Sequence, residues 1–153
     1  MSYNVFGDGL DAEREEQHPG YAVGGTLIAK RLGMEELGAN LYVLPPDNAQ
    51  APYHWHHNVE EALLVLVGEP TLRTPDGMQR LGPGDFVAFL RGESGAHKLT
   101  NETSEPVRYV IFPTRPAIDV VEYPDSQKVG FGSRGRRWRI VRDESPLDYW
   151  DGE

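Results

Sequence analysis

From Gly24 onward the chain is a succession of short runs rich in branched and aromatic residues, each bounded by Gly, Pro, Asn or Asp, and this pattern predicts an all-β fold. The runs cover residues 26–32, 39–44, 62–67, 71–74, 86–90, 97–101, 107–113 and 118–123, a spacing that suits a sandwich or a barrel. Turn chemistry supports the divisions. Pro75-Asp76-Gly77 reads as a hairpin turn, and in Gly82-Pro83-Gly84-Asp85 the proline fixes φ while Gly84 is free to take a positive value. Helix is scarce; only residues 34–37 read as a turn of one.

The ends differ from the middle. Residues 1–20 are polar and acidic, with Asp8, Asp11, Glu13, Glu15 and Glu16 against Arg14, and close on Pro19-Gly20, so they read as an arm outside the core. Residues 21–125 form the barrel-like domain, and 126–153 an extension. In that extension Arg134, Arg136, Arg137, Arg139 and Arg142 surround Trp138, Ile140 and Val141, and an acidic tail follows from Asp143. Such a charge run predicts a solvated edge strand near acidic segments more readily than an anion site. One central run is apolar on both faces: with Glu61 pointing inward, Leu63, Val65 and Val67 share its side, while Ala62, Leu64 and Leu66 need cover. A second sheet layer, the N-terminal arm or a second subunit could supply it, and a homodimer is the expectation.

Composition narrows the chemistry. The 153 residues suit one domain with a proper core. No cysteine is present, so disulfides and zinc–thiolate sites are excluded and histidine and carboxylate remain as the strong metal ligands. A net charge of −9 argues against nucleic acid as a partner. The first residues lack a signal-peptide pattern and no apolar run reaches membrane-spanning length, so a soluble cytoplasmic protein with no membrane partner is expected.

Three of the five histidines lie in His54-Trp55-His56-His57. In a strand, alternation puts His54 and His56 on one face, two residue rises apart, and sends His57 the other way. Glu61 opens the next strand and can return beside them. His97 shares a face with Leu99 and Asn101 on a later strand and can project into the same interior as a fourth ligand. Three nitrogens and one oxygen suit one divalent ion, whether iron, manganese, nickel, cobalt or zinc, and leave two octahedral positions open.

These residues resemble the cupin superfamily. Its first motif is similar to Gly-x5-His-x-His-x3-4-Glu-x6-Gly, matched here from His54 through Glu61 to Gly68, with Asn48 at the leading glycine. Its second is similar to Gly-x5-Pro-x-Gly-x2-His-x3-Asn. Gly84 and Gly92 fall in register, Leu90 stands where proline is usual, His97 arrives two residues late, and the ending His97-x3-Asn101 is kept. The resemblance covers roughly residues 38–113 and implies a jelly-roll β-barrel, the double-stranded β-helix, with the site inside and His54, His56, Glu61 and His97 as metal ligands. Counting back from Gly68 selects Glu61, whereas the shorter spacing from His56 would select Glu60.

Other chemistries find no support. Ser94 sits in Gly-Glu-Ser-Gly rather than in a nucleophile elbow, and Gly82-Pro83-Gly84 precedes a strand where a phosphate loop needs a helix, so no nucleotide cofactor is implied. Tyr42, Trp55, Phe86, Phe89, Tyr109 and Phe112 are candidates to wall the pocket, and Arg73, Tyr109 and Asn101 to orient a ligand; none is assigned a catalytic role. Two functional classes follow. One is a metal-dependent enzyme on a small polar metabolite, of the dioxygenase, isomerase or decarboxylase type that similar cupins show; the other is a non-enzymatic metal or metabolite binder with a sensing, storage or structural role. The enzyme is favoured, with a small molecule as its partner.

Overall fold

Strand follows strand through the computed structural model, which describes residues 2–7, 9, 10, 12–133, 137–143 and 147–152. Its elements are β1 (Ala12–His18), β2 (Tyr21–Leu27), α1 (Ile28–Leu32), β3 (Asn40–Leu44), β4 (Asn48–Ala49), β5 (Trp55–His56), β6 (Glu61–Val67), β7 (Thr71–Thr74), β8 (Gly77–Arg80), β9 (Phe86–Phe89), β10 (Lys98–Asn101), β11 (Val107–Pro113), β12 (Ile118–Tyr123), β13 (Lys128–Ser133) and β14 (Arg139–Arg142). Ten strands make one sheet in the order β8-β7-β10-β4-β2-β3-β11-β6-β9, with β1 paired to β2. The other sheet runs β14-β13-β12-β5. The large sheet curls into a half-barrel, so the all-β jelly-roll expectation stands. No described helix is long and apolar enough to cross a membrane.

Period-two alternation builds the interior. Leu44 of β3, Leu63 and Val65 of β6, Leu72 of β7, Phe89 of β9, Leu99 of β10 and Val107, Tyr109 and Ile111 of β11 all pack into one buried cluster. Each of the large side chains contributes about 1.5–3 kcal/mol through removal from water. The register holds them together: β11 lies between β3 and β6, setting Tyr109 opposite both Tyr42 and Val65.

The opposite face of these central strands has its own cover. Leu41 and Val110 pack with Ile28, Ala29 and Ala39, and Tyr3, Val5, Leu10, Leu32, Met34, Leu66 and Phe112 close around them. Of the three residues read as needing cover, Leu66 is packed against this chain's own N-terminal residues and α1, while Ala62 and Leu64 are half-buried. Val67, assigned to the inward set, is 45% exposed at the end of its strand. The N-terminal residues, read as an arm outside the core, contribute Tyr3, Val5 and Leu10 to it and pair β1 with β2.

Two local expectations need correction. The run 26–32 is a strand only to Leu27; from Ile28 it turns into α1, because Ile28, Ala29 and Leu32 fall at helical spacing, Lys30 and Arg31 point outward, and Gly33 ends the helix at φ 74°. The helical turn placed at 34–37 thus lies one segment earlier. Turn chemistry, in contrast, matches: Thr74 pairs with Gly77 across Pro75-Asp76, and the Asp85 N–H donates to the Gly82 carbonyl at 3.0 Å with Gly84 at φ 93°. In the extension, β14 is the outer edge of the smaller sheet and all four of its residues are exposed, as the charge run suggested. Arg134 and Arg136 lie outside the described residues, as do Asp8 and Asp11.

Candidate metal centre

Four side chains meet where the two sheets approach. His54 and His97 are joined by a reciprocal pair of backbone hydrogen bonds, 3.1 and 2.9 Å, that forms an isolated antiparallel bridge. His56 is held two residues on by β12, where it pairs with Val121. Glu61 begins β6 between β9 and β11, opposite Phe89 and Pro113, and is placed on the same side as the buried Leu63 and Val65.

The longer loop before His97 folds back onto this group. Gly92, at φ 85°, donates its N–H to the His56 carbonyl at 2.8 Å, and a single 3-10 turn over Glu93–Gly95 absorbs the additional residues. Gly95 is required there: a Cβ on it would lie 1.7 Å from the Leu90 carbonyl oxygen. The delayed spacing of His97 therefore changes the loop and leaves the ring inside, 2% exposed.

All three imidazoles are oriented alike. The Nδ1 of His54 lies 2.8 Å from the Pro52 carbonyl oxygen, that of His97 lies 2.9 Å from the Gly95 carbonyl oxygen, and that of His56 lies 2.6 Å from Asp119 Oδ2. Each partner is an acceptor, so each Nδ1 carries a proton, and Nε2 is the nitrogen left with a lone pair when the ring is neutral. Nε2 of His56 is 3.6 Å and Nε2 of His97 is 3.4 Å from Glu61 Oε2. One ligand atom each from His54, His56 and Glu61 lie within 4.8 Å of one another.

Electrostatics favours unprotonated rings at two of the three positions. Burial, then the neighbouring His56, pushes His54 down to about 4. Burial, then His54, pushes His97 down to about 3. His97 is thus neutral and its approach to Glu61 is not an ion pair; its buried Nε2 has no hydrogen-bond partner. At His56 burial acts downward, but the Asp119 hydrogen bond and the charges of Glu61 and Asp119 outweigh it and raise the pKa. Glu61 is raised by burial, against the pull of His56. The ligand atoms of His54, His56 and Glu61, grouped within 4.8 Å, and the orphaned Nε2 of His97 beside Glu61 fit a divalent cation: imidazole and carboxylate must be deprotonated to bind one.

The remaining candidates lie elsewhere. His57 faces outward, 2.9 Å from Glu122 Oε1, against the Trp55 ring. Glu60 is exposed. Arg73 forms a two-pronged pair with Asp125 and stacks on Tyr53, Tyr109 is wholly buried in the core, and Asn101 ties the Leu44 and Glu105 carbonyls together. Phe89 does wall the group, stacked on His97 at 3.7 Å, whereas Phe86 is exposed and Phe112 packs on the opposite face. Trp55 packs with Tyr53 and Ala96. Two residues of β12 were missed: Asp119, bonded to His56, and Tyr123, stacked on His54 at 6.0 Å. Nothing in the local pattern of residues 118–123 marks them, since the signal is the pairing of β12 with β5.

A family model described as the Cupin domain matches residues 40–113. The chain contains a small cupin domain. Among solved structures, this cupin is similar to a candidate sugar phosphate isomerase of Acidithiobacillus ferrooxidans, with 29% identity over 91% of this chain and 90% of that one and a TM-score of 0.80. It also shares its fold with a sugar phosphate isomerase from a cupin superfamily of Silicibacter pomeroyi (24% identity, 91% and 94% coverage, TM-score 0.78). A predicted oxalate decarboxylase of Thermotoga maritima shares the fold more distantly, with 17% identity, 74% and 98% coverage and a TM-score of 0.61. No curated protein matches the sequence.

Proposed function

We propose that this cupin is a metal-dependent enzyme acting on a small polar metabolite, with one divalent ion held by His54, His56, Glu61 and His97. The observation that carries the reading is the approach of two Nε2 atoms, those of His56 and His97, to the Glu61 carboxylate, with His54 grouped beside His56 and Glu61 and all three Nδ1 atoms bonded elsewhere. Isomerisation of a phosphorylated sugar is the chemistry we favour, supported by the likeness over nine-tenths of both chains to the candidate sugar phosphate isomerase. A divalent ion in such a site polarises carbonyl and hydroxyl oxygens. The chain's own groups prepare the place for it: His54 and His97 stay unprotonated near neutrality, Phe89 covers the His97 ring, and Tyr123 covers His54.

Elemental analysis of protein purified without added metal should find about one divalent ion per chain. NMR of aldose and ketose phosphates mixed with the protein should show interconversion that stops on chelation and returns with metal. Absence of any bound or acquired transition metal would sink the metal reading. Metal uptake without isomerisation would leave a binding protein.

A further inference from the structure

The cupin match ends at Pro113, yet the site continues beyond it. On β12, Asp119, Val121 and Tyr123 share one face by alternation, and that face lies against the histidine strand: Asp119 reaches His56, Val121 is buried opposite it, and Tyr123 stacks on His54. Asp119 uses both carboxylate oxygens. Oδ2 lies 2.6 Å from His56 Nδ1, and Oδ1 accepts the Asn58 N–H at 3.2 Å. Two ordered bonds fix the carboxylate, and the carboxylate fixes the ring.

We propose that Asp119 is the positioning residue of the metal site, holding the His56 proton on Nδ1 and turning Nε2 toward Glu61. The proposal rests on the metal reading given above. Asp119 is not itself a ligand to the same ion, because it bonds the nitrogen of His56 that points away from the cluster. Among the three rings His56 is the one whose Nδ1 partner is a side chain rather than a backbone carbonyl, and the one that can therefore be released by mutation. Carboxylates in this relation to a metal-bound histidine set its tautomer and raise its basicity, and their loss typically costs 10- to 100-fold in affinity. An asparagine at 119 keeps the shape but can donate its amide to Nδ1, which moves the ring proton to Nε2 and blocks the lone pair.

Two measurements test this on the full chain. Competition with a chromophoric chelator for zinc and manganese should show Asp119→Asn binding 10- to 100-fold more weakly than the wild type. Glu122→Gln, on the same strand as Asp119 but partnered with the outward-facing His57, should be unchanged. Long-range nitrogen–proton NMR of the metal-free protein at a pH where His56 is neutral should place its proton on Nδ1 in the wild type and redistribute it to Nε2 in Asp119→Ala. Equal weakening by Glu122→Gln would show that strand packing is responsible, and unchanged affinity in Asp119→Asn would likewise overturn the proposal. A wild-type His56 protonated on Nε2 would do the same without any metal in the tube. Wild-type protein that takes up no metal defeats the metal reading instead, and the tautomer measurement still decides the role of Asp119.

Discussion

Stripping the site of metal should make the fold acid-labile in a specific window. His54 and His97 titrate near 6.5 when unfolded but near 4 and 3 when folded. Below pH 6.5 the unfolded chain therefore takes up protons that the folded chain refuses, and stability falls as pH falls toward those lower values. At pH 5 each ring withdraws about 2 kcal/mol relative to pH 8, some 4 kcal/mol for the pair, against a total of roughly 5–15 kcal/mol for a domain. His56 acts in the opposite sense. Its raised folded pKa adds stability as pH descends to 6.5 and nothing further below, so it offsets part of the loss. Urea denaturation of chelator-treated protein at pH 8, 7, 6 and 5, compared with His97→Gln, isolates the effect: the variant's loss between pH 8 and pH 5 should be smaller by about 2 kcal/mol. One equivalent of zinc should move the wild-type loss to lower pH, because a bound cation keeps the rings neutral. Identical pH profiles for wild type and variant would refute the assignment of His97 as a buried neutral ring.

His54→Ala and His97→Ala should each abolish tight metal retention in equilibrium dialysis, while His57→Ala, which loses the contacts to Glu122 and the Trp55 ring outside the site, should retain it. Gly95→Ala should cost at least about 2 kcal/mol in urea melts and weaken metal binding as well, since its Cβ cannot share space with the Leu90 carbonyl that abuts it and its own carbonyl orients His97. Leu41→Ala, at a fully buried position on the far side of the sheet, should cost about 2–5 kcal/mol by calorimetry or denaturation yet leave metal stoichiometry at one.

Much of the architecture was legible because it is written in period two. The runs 71–74, 107–113 and 118–123 are strands with those bounds, and 62–67 differs from β6 by one residue. Elements without an apolar alternation were invisible: β8 is exposed at all four positions, β4 has two residues, and β13 depends on its pairing with β12. Helix α1 was hidden by Ile28, whose branched side chain suits a strand until Gly33 and the i, i+1, i+4 spacing of Ile28, Ala29 and Leu32 are weighed together. The choice between Glu60 and Glu61 rested on counting back from Gly68, and in the structure Glu61 is the one in phase with the buried Leu63 and Val65, while Glu60 is exposed.

What local reading misses is the support of the site, and the reason is sequence distance. A ligand spacing such as His-x-His is a property of one strand, so it survives in the order of residues. The proton on a ligand's other nitrogen is a property of whatever lies behind it. For His54 and His97 that partner is a backbone carbonyl two residues away, available to almost any sequence with the right turn. For His56 it is Asp119, 63 residues on and outside the span matched by the family model. Motif matching recovers groups whose chemistry is carried by spacing, and strand pairing recovers those carried by the fold. A cupin lacking a carboxylate at the position of Asp119 could keep every motif residue and still present a His56 ring free to place its proton on the wrong nitrogen.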